Sequence, residues 1–105
     1  DQQAPAPVLD NTNVFKLTNI TIDGNTAISD EALRQHYAHL INDWASLQTI
    51  QAVANRITAQ YRNSGYVLSR AVVPAQSIAN GEARILVIEG YVTNINYTGD
   101  GADDA

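Results

Sequence analysis

The stretch from Leu47 to Tyr61 constrains the fold more than any other. Leu47, Ile50, Val53, Ala54, Ile57 and Tyr61 recur at three- and four-residue intervals, so a helix here carries one apolar face. Such a helix must bury that face against another element. Ser46 stands where its N-cap belongs, and Asn63-Ser64-Gly65 where it should end, with Gly65 in the left-handed conformation. An earlier helix is expected to start at Ser29, with Asp30 and Glu31 in the first turn where carboxylates favour the positive end of the helix dipole. Its apolar face is Leu33, Tyr37, Leu40, Ile41 and Trp44, with Asn42-Asp43 loosening it before Trp44.

Three β-rich runs accompany the helices. Val14 to Ile22 alternates in two phases, Phe15 with Leu17 and then Ile20 with Ile22, which predicts a strand bulged near Thr18-Asn19. Asp23-Gly24-Asn25 then turns the chain. Tyr66 to Val73 is a second run, closed by Pro74, and Ala83 to Glu89 a third, after a turn at Asn80-Gly81. Ile85 to Ile88 is apolar at both parities and is expected at the centre of the sheet, whereas Ser69, Arg70 and Ala71 interrupt the earlier run and place it at an edge. The expected fold is α+β: a two-layer β-α-α-β-β arrangement, its three-stranded mixed sheet covered on one face by two helices.

With 105 residues, 45% of them hydrophobic, the chain can enclose one core. Residues 1–13, with Pro5 and Pro7, read as a flexible leader, residues 14–91 as the domain, and residues 92–105 as a linker or the start of a second module. Leu17 to Asn25 echoes Val92 to Asp100 at an offset of 75 residues, sharing Thr, Asn, Ile and Gly; a repeat and a chance likeness of short β sequences both account for this. The absence of methionine implies that the chain does not begin at its own start codon.

The formal charge of −5, with six scattered Lys and Arg, argues against a nucleic-acid partner. The sequence has no cysteine, so no thiolate nucleophile and no disulfide framework exist. His36, His39 and Asp43 would share one stripe of the first helix, but that stripe lies off the apolar face and reads as wet surface, without the outer-shell partners a metal site needs. No Gly-x-Ser-x-Gly elbow and no paired carboxylates stand out. No enzyme and no cofactor is therefore expected.

Four motifs remain. Phe15-x-Leu17-x-x-Ile20-x-Ile22-x-Gly24 is followed by Tyr61-x-x-x-Gly65-Tyr66, then Val73-Pro74-x-Gln76-x-Ile78-x-x-Gly81, then Ile85-x-Val87-x-Glu89-Gly90-Tyr91. In this order they resemble the first POTRA domain of two-partner secretion transporters, outer-membrane pores of the haemolysin-activator and haemagglutinin-secretion type. The physical reading makes most of these residues structural: Gly24, Gly65 and Gly81 for turns, Tyr66 for a half-buried ring, and Pro74 and Gln76 for shaping a loop. Glu89, beside Gly90, is placed to accept backbone N–H bonds where the chain leaves the domain.

The resemblance implies a periplasmic domain that binds the secretion signal of an unfolded exported protein. It also implies a second POTRA domain and a membrane β-barrel further along the same polypeptide. The expected contact surface is the edge strand, at Val67, Leu68, Ser69, Arg70 and Ala71, with a groove against the second helix near Ile57 and Tyr61. The alternative is a scaffold POTRA that joins partner proteins in barrel assembly or cell division without binding an exported chain.

Overall fold

The computed structural model describes residues 8–10 and 12–90. Five strands and two helices run in the order β1 (Val14–Lys16), β2 (Asn19–Asp23), α1 (Asp30–Arg34), β3 (Trp44–Ser46), α2 (Leu47–Asn63), β4 (Arg70–Val72) and β5 (Glu82–Ile88). The main sheet is three-stranded and mixed, in the order β2-β5-β4, with β2 parallel and β4 antiparallel to the central β5. Two helices and this sheet make the expected α+β fold.

The core lies between α2 and the inner face of the sheet. Ile50, Val53, Ala54, Ile57 and Tyr61 are buried along one side of α2, as their spacing requires. Ala83, Ile85 and Val87 face them from β5, and Ile20 and Ile22 from β2. Thr49 accepts the Ser46 backbone N–H at 3.1 Å at the start of α2, half of a capping box. β5 is central but packed on one face only: its burial alternates strictly, leaving Leu86 and Ile88 exposed on the outer face.

The phase change in the first β run marks a change of sheet. Leu17 is fully buried, and its backbone exchanges hydrogen bonds with the loop before β3: its N–H donates to Asp43 at 2.8 Å and its carbonyl accepts from Asn42 at 2.6 Å. One residue later, Thr18 N–H donates to the Gly81 carbonyl at 2.8 Å and its hydroxyl to the Asn80 carbonyl at 2.6 Å. The single bulged strand is thus two strands. β1 pairs antiparallel with β3 in a separate ribbon, and β2 joins the main sheet.

The first helix is shorter than its apolar spacing suggests. Ser29 caps it as expected, accepting from Ala32 N–H at 3.2 Å, but α1 ends at Arg34, and a 3₁₀ turn at Ala38–Leu40 follows. Leu33 and Tyr37 are buried, yet Asn42 has φ 71° and sends the chain into β3. There Ala45 points inward, so Trp44 opposite Lys16 points outward and is exposed. Within the expected leader, Val8 bridges Ser77, Leu9 N–H donates to the Gln76 carbonyl at 2.9 Å, and Leu9 joins the core. The expectations for residues 1–7 and 92–105 lie outside the described residues.

The end of α2 forms a complete Schellman motif. Tyr66 N–H donates to the Tyr61 carbonyl at 2.8 Å and Gly65 N–H to the Arg62 carbonyl at 3.0 Å, while the Tyr61 and Tyr66 rings meet edge-on at 5.9 Å. Gly65 adopts φ +98°, and a Cβ there would touch nothing within 4 Å, so its requirement is conformational and not steric. Gly65→Ala is expected to lose about 1 kcal/mol or more of stability in chemical denaturation. Gly65→Asn should lose less, because Asn tolerates the left-handed region; equal losses would contradict this account.

Candidate functional site

The two outer edges of the main sheet differ in what is left open. Arg84 at the centre fixes the pattern: its N–H donates to Gln76 Oε1 at 2.8 Å and its carbonyl accepts from Gln76 Nε2 at 2.9 Å, so its backbone faces the β4 side. Even-numbered residues of β5 therefore bond toward β4 and odd-numbered ones toward β2. Given the β4 register, Val72 opposite Leu86, the position facing Arg84 is Pro74, which has no N–H to give. The Gln76 amide supplies both bonds in its place and also donates to the Pro74 carbonyl at 2.9 Å. Gln76 is thereby a side-chain substitute for a strand residue.

On β4, Ala71 points its N–H away from β5, and Thr58 of α2 takes it at 2.9 Å while donating to the Ala54 carbonyl at 3.0 Å. Arg70 and Val72 bond inward to β5. The residues of the expected edge contact lie at this strand and just ahead of it. Val67 and Leu68 lie in a turn ahead of the strand, Ser69 is buried, and the outward donor of Ala71 is occupied. Ile57 and Tyr61 are fully buried and line no groove, because the stripe they belong to is the core face of α2. A shallow space of about 370 Å³ does exist between β4 and α2, lined by Gln51, Ala54, Asn55 and Ala71 to Val73.

β2 presents the other edge. Thr21 sits opposite Arg84 and bonds to its neighbours Ala83 and Ile85, so Ile20 and Ile22 turn their N–H and carbonyl groups outward. No strand of the described residues lies beyond β2. A groove of about 260 Å³ runs along this edge, between residues 19–22 and the Asp30, Arg34 and Tyr37 side chains of the α1 region. It combines open backbone groups, an aromatic wall and one charge of each sign. Sequence reasoning did not single it out, although the even spacing of Asn19 to Asp23 and their position ahead of a helix were visible signals.

Glu89 ties the far end of the domain together. One carboxylate oxygen accepts Thr26 N–H and Ala27 N–H, each at 2.8 Å, and the buried Tyr61 hydroxyl at 2.7 Å, while the Thr26 hydroxyl donates to the other. The β2–α1 loop, the end of α2 and the exit from β5 meet on this one group. Gly24 allows the loop to come this close, with φ +90° and a notional Cβ only 2.2 Å from the Val87 carbonyl oxygen. Gly90 N–H in turn donates to Ser69 Oγ at 3.1 Å. His36 does not share a helical stripe with His39 and Asp43, since α1 has ended; its ring meets the Gln60 side chain instead. Among the described residues no group of three or more His, Cys, Asp or Glu converges as metal ligands would.

Tyr61→Phe should cost about 1 kcal/mol, and Glu89→Ala about 2 kcal/mol or more, because the latter leaves several donors unpaired at once. A double-mutant cycle with Glu89→Gln should show coupling of at least about 0.5 kcal/mol. Additive losses in urea titrations would remove Glu89 from this role.

Comparison with known proteins follows the same outline. Residues 15–90 match the family model described as POTRA domain, ShlB-type. The heme/hemopexin transporter protein HuxB of Haemophilus influenzae (strain 86-028NP) is 33% identical over 86 residues, covering 77% of this chain and 15% of its own length. Among solved structures, CdiB from Escherichia coli superposes with a TM-score of 0.68 at 26% identity, over 82% of this chain and 18% of that one. The N-terminal domain of Omp85 from Thermosynechococcus elongatus superposes with a TM-score of 0.62 at 26% identity, over 69% and 31%. The chain spans about 15% of the length of the curated relatives it matches.

Proposed function

This chain belongs to the ShlB-type POTRA domain family, and from that membership we propose that it is a periplasmic docking module for an exported polypeptide. The polypeptide arrives unfolded and adds to the β2 edge as an extra strand on its way to an outer-membrane barrel. One observation carries the reading: the outward N–H and carbonyl groups of Ile20 and Ile22 flank a groove walled by Asp30, Arg34 and Tyr37. Main-chain bonds to β2 give affinity with little demand on sequence, while alternate side chains of the added strand enter the groove. An unfolded chain passing through needs this combination, because the domain must hold many successive segments loosely.

The transporter names of the relatives, HuxB and the outer membrane transporter CdiB, favour export over a scaffold role in barrel assembly or division. The partners under this reading are the exported protein, a following POTRA domain and the barrel of the same polypeptide. No step in strand addition calls for nucleotide or cofactor.

These 105 residues contain no cysteine, so a thiol introduced into the domain is unique within it. Arg34→Cys in the groove should form disulfides with single cysteines placed along the secretion-signal segment of the exported protein, at every second position. The yield should exceed that of Arg70→Cys on β4 by roughly tenfold, since strand addition confines the segment to one edge. Stronger cross-linking at Arg70→Cys would move the docking edge to β4, and cross-linking at neither would remove strand addition.

A further inference from the structure

The turn after α2 carries residues that its shape does not call for. Ser69 N–H donates to the Tyr66 carbonyl at 3.1 Å, so Val67 and Leu68 occupy the two corners of a four-residue turn. Turn corners favour Gly, Pro, Asn, Asp and Ser. Val67 and Leu68 are instead branched and apolar, and they are 61% and 52% exposed. Packing within the domain does not account for them.

The same turn is fastened to the point where the chain leaves the fold. Buried Ser69 receives the Gly90 N–H, and a Cβ on Gly90 would lie 2.7 Å from the Leu68 carbonyl oxygen and 2.8 Å from the Leu68 Cβ. Glu89, one residue earlier, is held by Thr26, Ala27 and Tyr61. The exit is therefore rigid, and the two apolar corners stand immediately beside it. The family match also closes at residue 90, while the relatives extend far beyond the 15% of their length that aligns.

We propose that Val67 and Leu68 are the docking tip for the module that continues the polypeptide after Gly90, and not contacts for the exported chain. A module tethered at Gly90 meets this tip at an effective concentration on the order of millimolar, so even a small apolar contact is occupied. A free partner gains no such advantage from so small a patch. Docking here sets the angle between successive modules, because the turn and the exit strand move as one body. The inference rests on this domain being one part of a longer transporter, but not on where the exported chain binds.

Cysteine accessibility tests it. Val67→Cys and Leu68→Cys are made separately in a cysteine-free full-length protein and in the 105-residue chain, and reacted with a small maleimide. Exposed Asn55→Cys on α2 serves as the reference. Labelling at both turn positions is expected to be about tenfold or more slower in the full-length protein, as burial demands, with Asn55→Cys unchanged. Equal rates in the two proteins would overturn the inference. Slowing that appears only after adding the secretion-signal segment would overturn it in favour of an exported-chain contact. To guard against disturbance by cysteine, Val67→Asp/Leu68→Asp is made in full-length protein carrying one spin label in each module. The inter-module distance distribution should broaden, and an unchanged distribution would also overturn the inference. Both readouts are independent of export, so failure of docking at β2 and failure of this inference are told apart.

Discussion

The Tyr61 side chain is the point on which the rest of the domain turns. It is fully buried at the end of the α2 stripe, its ring meets Tyr66, and its hydroxyl donates to Glu89. Its backbone carbonyl meanwhile accepts the bond that closes the helix. Helix end, strand end and the loop before α1 are thus fixed by one residue and the carboxylate it holds. A buried hydroxyl donating to a carboxylate is worth more than one bonded to a neutral acceptor, because the acceptor is charged and the hydroxyl has already lost its solvent. The arrangement fastens the exit from β5 to the loop that follows β2 and to the end of α2.

How far the sequence could be read depended on whether the deciding partner was local. The α2 stripe, its Ser46 start and its Gly65 stop were legible because helix periodicity and end signals lie within a few residues of one another. The same spacing overextended the first helix: Leu33, Tyr37 and Leu40 keep one side through a helix followed by tight turns, and the non-helical backbones of Tyr37, Ile41 and Asn42 distinguish the two. β3 was invisible as a strand, since three residues with one buried Ala45 make no pattern of their own. The break near Thr18 was correctly located but not understood, because its cause is Asn42 and Asp43 on one side and Gly81 on the other, all distant in sequence.

The candidate site shows the same limit. Pro74 and Gln76 were read as loop-shaping, and the reason becomes visible only when the register sets Pro74 opposite Arg84. Glu89 was read as a backbone acceptor, and its bonds to Thr26 and Ala27 agree, but the Tyr61 hydroxyl was beyond inference from spacing. Ile57 and Tyr61 were assigned to a groove because an amphipathic stripe tells which side of a helix is apolar and not how deep each residue lies. The edge assigned to β4 was sound as topology, yet Thr58, thirteen residues away, had already taken its donor.

That Thr58 contact has a consequence for how copies of the domain behave beside one another. A sheet with two open edges can join others on both sides, and each addition leaves a fresh edge, so association grows without limit. Here the β4 border is short and its outward donor is plugged by a helix side chain, so pairing through β2 alone joins two sheets back to back along one line and then stops. Such a domain can offer one edge for pairing without seeding a fibre.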